Sequence, residues 1–217
     1  MMNGVWRFLR ENRGLFVFLL LMSVFRSSLA DWNVVPSGSM KPTIVEGDRI
    51  LVNKLAYDVQ LPFLHYSLKK LADPQRGDII VFNSRAADVR LVKRVIGVPG
   101  DVVSMHNNVL TINGEPLRYD TLDSHYPLIE KSENLLGVTH VMQVNAEGSR
   151  LSSFAEIKVP EDFYLALGDN RDNSSDSRVI GFVPRGEIIG RARTVVVSLD
   201  YDHYYIPRTE RFWHTLR

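Results

Sequence analysis

Short runs of β-branched and other apolar residues, separated by turn signals, make up most of the chain beyond residue 35. The runs are no longer than six residues, and sequences such as Glu46-Gly47-Asp48 and Asn113-Gly114 lie between them. Runs of this length between turn residues are typical of strands, and Asn-Gly is typical of a hairpin turn. The sequence therefore predicts a mainly β fold with an antiparallel, barrel-like sheet, and one short helix over Pro62–Leu71. The predicted strands are Arg49–Asn53, Asp78–Phe82, Leu91–Ile96, Val109–Ile112, Ile157–Val159, Phe163–Leu167 and Thr194–Leu199.

The first 30 residues differ from the rest of the chain in charge and in hydropathy. They hold four arginines and one acidic residue, and the run Leu15–Phe25 is apolar except for Ser23. An eleven-residue helix is about 17 Å long, shorter than the roughly 30 Å hydrocarbon core of a bilayer. Extension to Gly14–Val35 gives about 33 Å but adds Arg26 and Asp31, which must then lie at the outer interface. This longer segment predicts one N-terminal membrane helix.

A second interpretation of the same segment stays open. Ser28-Leu29-Ala30 precedes Asp31, and small residues after a short apolar run are typical of a cleavable export signal. Local features alone slightly favour a segment that is removed over a retained anchor at residues 1–34. Both interpretations place everything after residue 35 outside the cytoplasm, because arginines beside a membrane segment stay on the cytoplasmic side.

The composition excludes several classes of site. The 217 residues carry 26 basic and 25 acidic side chains, so there is no basic excess for binding nucleic acid. The chain has no cysteine, which excludes disulfides, thiolate nucleophiles and cysteine-ligated zinc. We therefore expect chemistry that uses other side chains, with no metal and no cofactor.

Two hydroxyls surround a glycine in Pro36-Ser37-Gly38-Ser39-Met40, directly after the N-terminal segment. Such a turn can display a nucleophile, since glycine lets backbone amides approach a ligand closely. The plainer interpretation is a linker. A serine nucleophile also needs a base, and none of the six histidines lies in a recognisable catalytic motif.

Lysine is the alternative base, and Lys93 is unusual because it lies within the apolar run Leu91–Ile96. Burial disfavours the ammonium form and lowers the pKa of lysine from about 10.4, so a buried Lys93 is able to accept a serine proton. The alternative is a strand edge at which Lys93 is solvated.

A polar loop, Gly168–Arg178, follows the predicted strand that ends at Leu167. It does not match the calcium-binding EF-hand loop, since counting from Asp172 puts Ser177 at the glycine position and Val183 at the glutamate position. An ordered loop held by Asp176 and Arg178 is the better account, and it brings hydroxyls toward a buried amine.

Together, these segments resemble the type I signal peptidases, which are membrane-anchored Ser-Lys endopeptidases that remove export signals. The matching segments are PSGSMKPTI at 36–44, GDRILVNKLAY at 47–57, RGDIIVF at 76–82, KRVIGVPGD at 93–101 and GDNRDNSSDSRVIGFVP at 168–184. The resemblance implies that Ser39 is the nucleophile and Lys93 the general base. It further implies an oxyanion hole made by the Ser37 hydroxyl and the Ser39 amide, and a Ser174 hydroxyl that orients the Lys93 amine.

The resemblance also implies structural and substrate-binding roles. Asp176 and Arg178 form an ion pair that holds the polar loop. Exported preproteins bind as an added strand, with small side chains in shallow apolar pockets. The residues at the pocket positions are Val35, Met40, Ile44 and Val92, for which plain core packing is the alternative role.

Domain organisation and location follow from the same resemblance. We expect a cytoplasmic N-terminus and retained anchor at 1–34, a catalytic β-domain at 35–99 and 160–200, an inserted β-rich subdomain at 100–159, and a tail at 201–217. The expected protein is a single-pass monomer of the bacterial inner membrane, with its catalytic domain outside the cytoplasm and in contact with lipid. The tail is expected either at the membrane interface or packed on the β-domain.

Two alternatives remain at this point. One is a related Ser-Lys maturation peptidase with a narrower client, of the conjugation type or, more distantly, a self-cleaving repressor, although residues 1–35 cannot form a DNA-binding domain. The other is a membrane-tethered, β-rich assembly protein with an inactive site.

Overall fold

The structure, a computed structural model, describes Phe8, residues 10–63 and residues 67–216, and within them it is mainly β, as predicted. The helices are α1 (Arg13–Ser28) and α2 (Ser177–Ile180), and short 3-10 turns lie at Lys54–Ala56, Arg185–Glu187 and Thr209–Arg211. The strands are β1 (Ala30–Val34), β2 (Asp48–Asn53), β3 (Asp58–Gln60), β4 (Ser67–Lys70), β5 (Ile79–Ser84), β6 (Val89–Gly97), β7 (Val102–His106), β8 (Val109–Ile112), β9 (Glu115–Pro116), β10 (Arg118–His125), β11 (Leu128–Leu135), β12 (Val138–Asn145), β13 (Phe154–Lys158), β14 (Phe163–Leu167), β15 (Val183–Pro184), β16 (Ile188–Asp200), β17 (Ile206–Pro207) and β18 (His214–Thr215).

The largest sheet has nine antiparallel strands, in the order β1-β2-β16-β5-β6-β14-β15, with β17 and β18 also paired to β16. Three strands separate β1 from β6 in this order, yet Arg90 of β6 donates to Asn33 of β1 at 2.9 Å. The sheet therefore curves back on itself, and the curvature encloses an apolar core. That core contains Val35, Met40, Ile44, Ile50, Val52, Ile79, Val81, Ile189, Ala192, Val195 and Leu216.

Two smaller sheets are formed by the segment that links β6 to β14. One has the order β13-β7-β8-β9 and the other β10-β11-β12. The turn between β8 and β9 is the predicted Asn-Gly hairpin, because Asn113 and Gly114 both have positive φ, 52° and 82°, as a type I′ turn requires. The division into a catalytic domain (35–99 and 160–200) and an inserted subdomain (100–159) stays a prediction.

The helix predicted over Gly14–Val35 is wrong in its second part, because α1 ends at Ser28 and Ala30–Val34 pairs with β2 as strand β1. The N-terminal helix α1 exposes apolar side chains along its whole length, with Leu20 and Leu21 at least 60% exposed. Within the described residues, no helix has both the length and the apolarity that a membrane crossing needs. Residues 1–7 and 9, part of the predicted cytoplasmic N-terminus, lie outside the described residues.

The prediction of a short helix over Pro62–Leu71 is wrong. Residues 64–66 lie outside the described part of the chain, and Ser67–Lys70 forms β4, which pairs with Asp58–Gln60 of β3. Pairing with a neighbouring strand satisfies the backbone of this segment, and such tertiary pairing commonly overrides weak helix propensity.

The C-terminal tail packs on the large sheet. β17 pairs with the end of β16, β18 pairs with Thr194 and Val195, and Leu216 is buried in the core. Of the two placements expected for the tail, the structure shows the packed one.

Candidate active site

The loop that contains Ser39 is fixed by the core on both sides. Val35 and Met40 are at most 4% exposed, whereas Ser39 between them stays half-buried. A Cβ on Gly38 would lie 2.6 Å from the Glu46 Oε1 and 3.1 Å from the Lys41 side chain, so a larger residue here would displace the ends of these two side chains. We call residues 36–43 the nucleophile turn, after the role predicted for Ser39, because it presents the Ser39 hydroxyl beside the curved sheet.

Lys93 lies inside the protein and contacts Ser39. It is 2% exposed, in β6 opposite Ile80 of β5. Its Nζ is 2.8 Å from the Oγ of Ser39 and 3.0 Å from the carbonyl oxygen of Val92. The solvated strand edge considered for Lys93 is therefore wrong, since the side chain turns inward to the serine.

Burial lowers the pKa of Lys93 to about 8. The carboxylates of Asp176 and Asp169 oppose this change, because negative charge favours the ammonium form, and Arg178 adds to it. The net effect gives a substantial neutral fraction near pH 8, where an ordinary lysine is almost fully charged.

The polar loop is held by Asp176, which is fully buried. Its carboxylate accepts from the Gly168 backbone N–H at 3.0 Å and from Nε and Nη2 of Arg178 at 2.8 and 2.6 Å. Arg178 also donates to the carbonyl of Leu151 at 2.7 Å. The structure thus brings the predicted pair of Asp176 and Arg178 together beneath the loop.

Ser174 and Ser37 differ in what surrounds them. Ser174 is 4% exposed, and its Oγ has no hydrogen-bond partner among the described residues, so the expected bond to Lys93 is not formed in this structure. Its hydroxyl nevertheless lies close to Ser39. Both groups pack against the same face of Gly168, where an added Cβ would lie 2.2 Å from the Ser174 Oγ and 2.4 Å from the Ser39 carbonyl oxygen. Ser37 is exposed in the nucleophile turn.

The four predicted pocket residues lie together but are mostly internal. Val35, Met40 and Ile44 belong to the buried core, and Val92 packs against it while remaining partly exposed. Their core role is therefore present in the structure, and their role in substrate binding stays a prediction.

Sequence reasoning missed a set of buried charges behind the site. Arg94 donates to Asp169 through Nε and Nη2 at 2.8 and 2.7 Å, and Thr43 of the nucleophile turn donates to the same carboxylate at 2.5 Å. Burial by itself raises the pKa of Asp169. The charge of Arg94 and the hydrogen bonds outweigh this effect, so the net pKa lies below the usual aspartate value and the group is ionised. A second buried pair, Glu133 with Arg171, lies next to this one through His140.

Comparison with known proteins gives the family. The model "Signal peptidase, peptidase S26" matches residues 9–197. Signal peptidase I of Pseudomonas fluorescens is 37% identical over 86% of this chain and 72% of its own length, and that of Pseudomonas aeruginosa is 36% identical with the same coverage. A solved structure of a signal peptidase I from Enterococcus faecalis V583 is 31% identical, with a TM-score of 0.37, over 56% of this chain and 98% of that one. The chain therefore belongs to the signal peptidase family, peptidase S26, and is a peptidase that removes signal peptides from exported preproteins.

Proposed function

We propose that this peptidase cuts by a Ser-Lys dyad, with Ser39 as nucleophile and Lys93 as general base. The observation that carries the proposal is the 2.8 Å separation of the Lys93 Nζ and Ser39 Oγ. It is supported by burial of the amine, since a nitrogen shielded from water exchanges its proton with the neighbouring hydroxyl rather than with solvent.

In the proposed reaction, the neutral Lys93 amine accepts the Ser39 proton while the Oγ attacks the scissile carbonyl. The Ser37 hydroxyl and the Ser39 backbone N–H donate to the oxyanion, and loss of one such donor typically lowers turnover by roughly 10²- to 10³-fold. The ammonium then gives its proton to the leaving amine. Neutral Lys93 next activates a water molecule, which hydrolyses the Ser39 acyl-enzyme.

We propose that Ser174 acts at the stage of the reaction in which Lys93 is an ammonium. An ammonium has three donors, and Ser39 and Val92 supply acceptors for two of them. The unpartnered, buried Ser174 hydroxyl is a candidate acceptor for the third once Lys93 turns toward it. Ser174 would then orient the amine without taking part in the bond changes.

We propose that the preprotein binds as an extended strand near the place where β1 and β6 come together, which is marked by the contact of Asn33 with Arg90. The partly exposed Val92 borders Lys93, and Val35, Met40 and Ile44 lie below the nucleophile turn. Because these three side chains are already packed in the core, they leave shallow pockets that accept small residues. This accounts for the family preference implied by the sequence.

We further propose that residues 1–28, up to the end of α1, form a retained, single-pass anchor in the bacterial inner membrane. The monomeric catalytic domain, which then begins with β1 (Ala30–Val34), contacts lipid outside the cytoplasm. The support is α1, whose apolar side chains are exposed between Arg13 and Arg26. We expect N-terminal sequencing of protein purified from membranes to give the residues that precede Leu15. A mature N-terminus at Asp31 would instead show that the segment is a cleaved signal.

Trapping the acyl-enzyme tests the dyad proposal directly. Purified full-length protein in detergent is mixed with a signal-peptide substrate, quenched with acid within one turnover, and digested for mass spectrometry. We expect the substrate acyl group on Ser39, because deacylation needs the neutral Lys93 that acid protonates. Ser124→Ala, which removes an exposed hydroxyl in β10, is the control and should give the same adduct. Cleavage with the acyl group on another residue would refute Ser39 as nucleophile.

A further inference from the structure

Asn170 of the polar loop donates two hydrogen bonds to the nucleophile turn. Its side-chain Nδ2 donates to the Gly38 carbonyl at 3.0 Å, and its backbone N–H donates to the Ser39 carbonyl at 3.1 Å. Asn170 is 6% exposed, so water competes little for these acceptors. One residue therefore holds two successive peptide units of the turn.

A bond to the Gly38 carbonyl also sets the direction of the Ser39 N–H. The peptide between Gly38 and Ser39 is planar and trans, so its C=O and its N–H point in opposite directions. The Lys41 N–H, within the same turn, donates to this carbonyl at 3.1 Å, so Asn170 and Lys41 hold it together. With the carbonyl held by these two donors, the Ser39 N–H points away from the polar loop. In the proposed mechanism this N–H is one of the two donors to the oxyanion.

The backbone around Asn170 is in turn held by β12. Gln143 pairs with the loop on both sides of Asn170, since its N–H donates to the Asp169 carbonyl at 2.8 Å and its own carbonyl accepts from the Arg171 N–H at 2.9 Å. The Gln143 side-chain amide lies 3.5 Å from the Oδ1 of Asn170, as donor to that oxygen. At 3.5 Å this contact is at the long limit of a hydrogen bond, so β12 supports Asn170 mainly through the two backbone bonds of Gln143.

We infer that Asn170 is a positioning residue for signal-peptide cleavage, whose carboxamide holds the Gly38 carbonyl so that the Ser39 N–H donates to the oxyanion. The inference rests on the proposed Ser39 mechanism. It also gives the segment between β6 and β14 a part in the reaction, because Gln143 of β12 holds the backbone on both sides of Asn170.

Two substitutions of Asn170 test the inference on the full-length protein. Asn170→Ala removes the donor, and Asn170→Asp keeps the shape but puts an acceptor against the Gly38 carbonyl. We expect kcat to fall by about 10²-fold in both, the loss typical of one oxyanion donor, and KM to stay within about threefold. Asn134→Asp is the matched control, because the Asn134 Oδ1 accepts from the Gly137 N–H at 2.7 Å and an aspartate preserves that bond.

A binding measurement separates positioning from general disruption. The affinity of a signal peptide is measured for Ser39→Ala protein with and without Asn170→Ala, together with the melting temperature. We expect the two affinities to agree within about threefold. A kcat close to that of the parent protein, or a loss of peptide affinity as large as the loss of kcat/KM, would overturn the inference. Undiminished cleavage by Ser39→Ala alone would instead refute the proposed mechanism, which is a distinguishable result.

Discussion

Replacing Lys93 with Met is expected to abolish turnover and, at neutral pH, to stabilise the fold. A thioether cannot accept the Ser39 proton, and loss of a catalytic group that works as a unit with its nucleophile typically costs roughly 10⁴- to 10⁶-fold in kcat. Lys93→Arg should be equally inactive, because a guanidinium stays charged at every accessible pH.

The gain in stability has a separate physical cause. Folding lowers the pKa of Lys93 from 10.5 to about 8, so below pH 8 the folded state holds a charge that burial disfavours. A shift of this size corresponds to about 3 kcal/mol in the free energy of unfolding, and methionine removes the cost. The cost is full below pH 8 and falls away as the pH rises through 10.5, above which the amine is mostly neutral in both states. The increase in the free energy of unfolding produced by Lys93→Met should shrink over the same pH range.

Urea unfolding at pH 7 and pH 10.5, with turnover of a signal-peptide substrate, measures both effects. Lys158→Met is the matched control, because Lys158 is exposed in β13 and should change neither activity nor stability appreciably. A Lys93→Met protein that is inactive but less stable than the parent at both pH values would show that the lysine is a structural residue. A Lys93→Met protein that still cleaves would remove the dyad.

Much of the large sheet could be predicted from the sequence because its strands have strong local signals. The predicted strand at Phe163–Leu167 agrees with β14 at both ends, and Asn113-Gly114 forms the predicted hairpin turn. In contrast, β10, β11 and β12 were not predicted. These strands contain many charged and polar residues, so the alternating apolar pattern that indicates a strand is weak there.

The proposed pair of Ser39 and Lys93 could be assigned from the resemblance to the family, but the groups that hold it could not. Lys93 stands out as a charge within an apolar run, whereas Asn170 is one of many polar residues in the loop and has no distinguishing local pattern. Its contacts with Gly38 and Gln143 depend on tertiary folding. The buried pair of Glu133 and Arg171 is equally invisible in the sequence, since isolated charges are normally solvated.

The pH dependence of kcat/KM tests the central claim most directly, because it reports the protonation of the free enzyme. The measurement uses the full-length protein in detergent and a signal-peptide substrate, from pH 6 to 11, with Lys93→Met as the blank. His140 does not titrate in this range, since burial lowers its pKa to about 4. With neutral Lys93 as the base and its pKa near 8, kcat/KM should rise about tenfold per pH unit up to pH 8 and then level off. A profile that keeps rising toward pH 10.5, the value of an unperturbed lysine, would contradict the account.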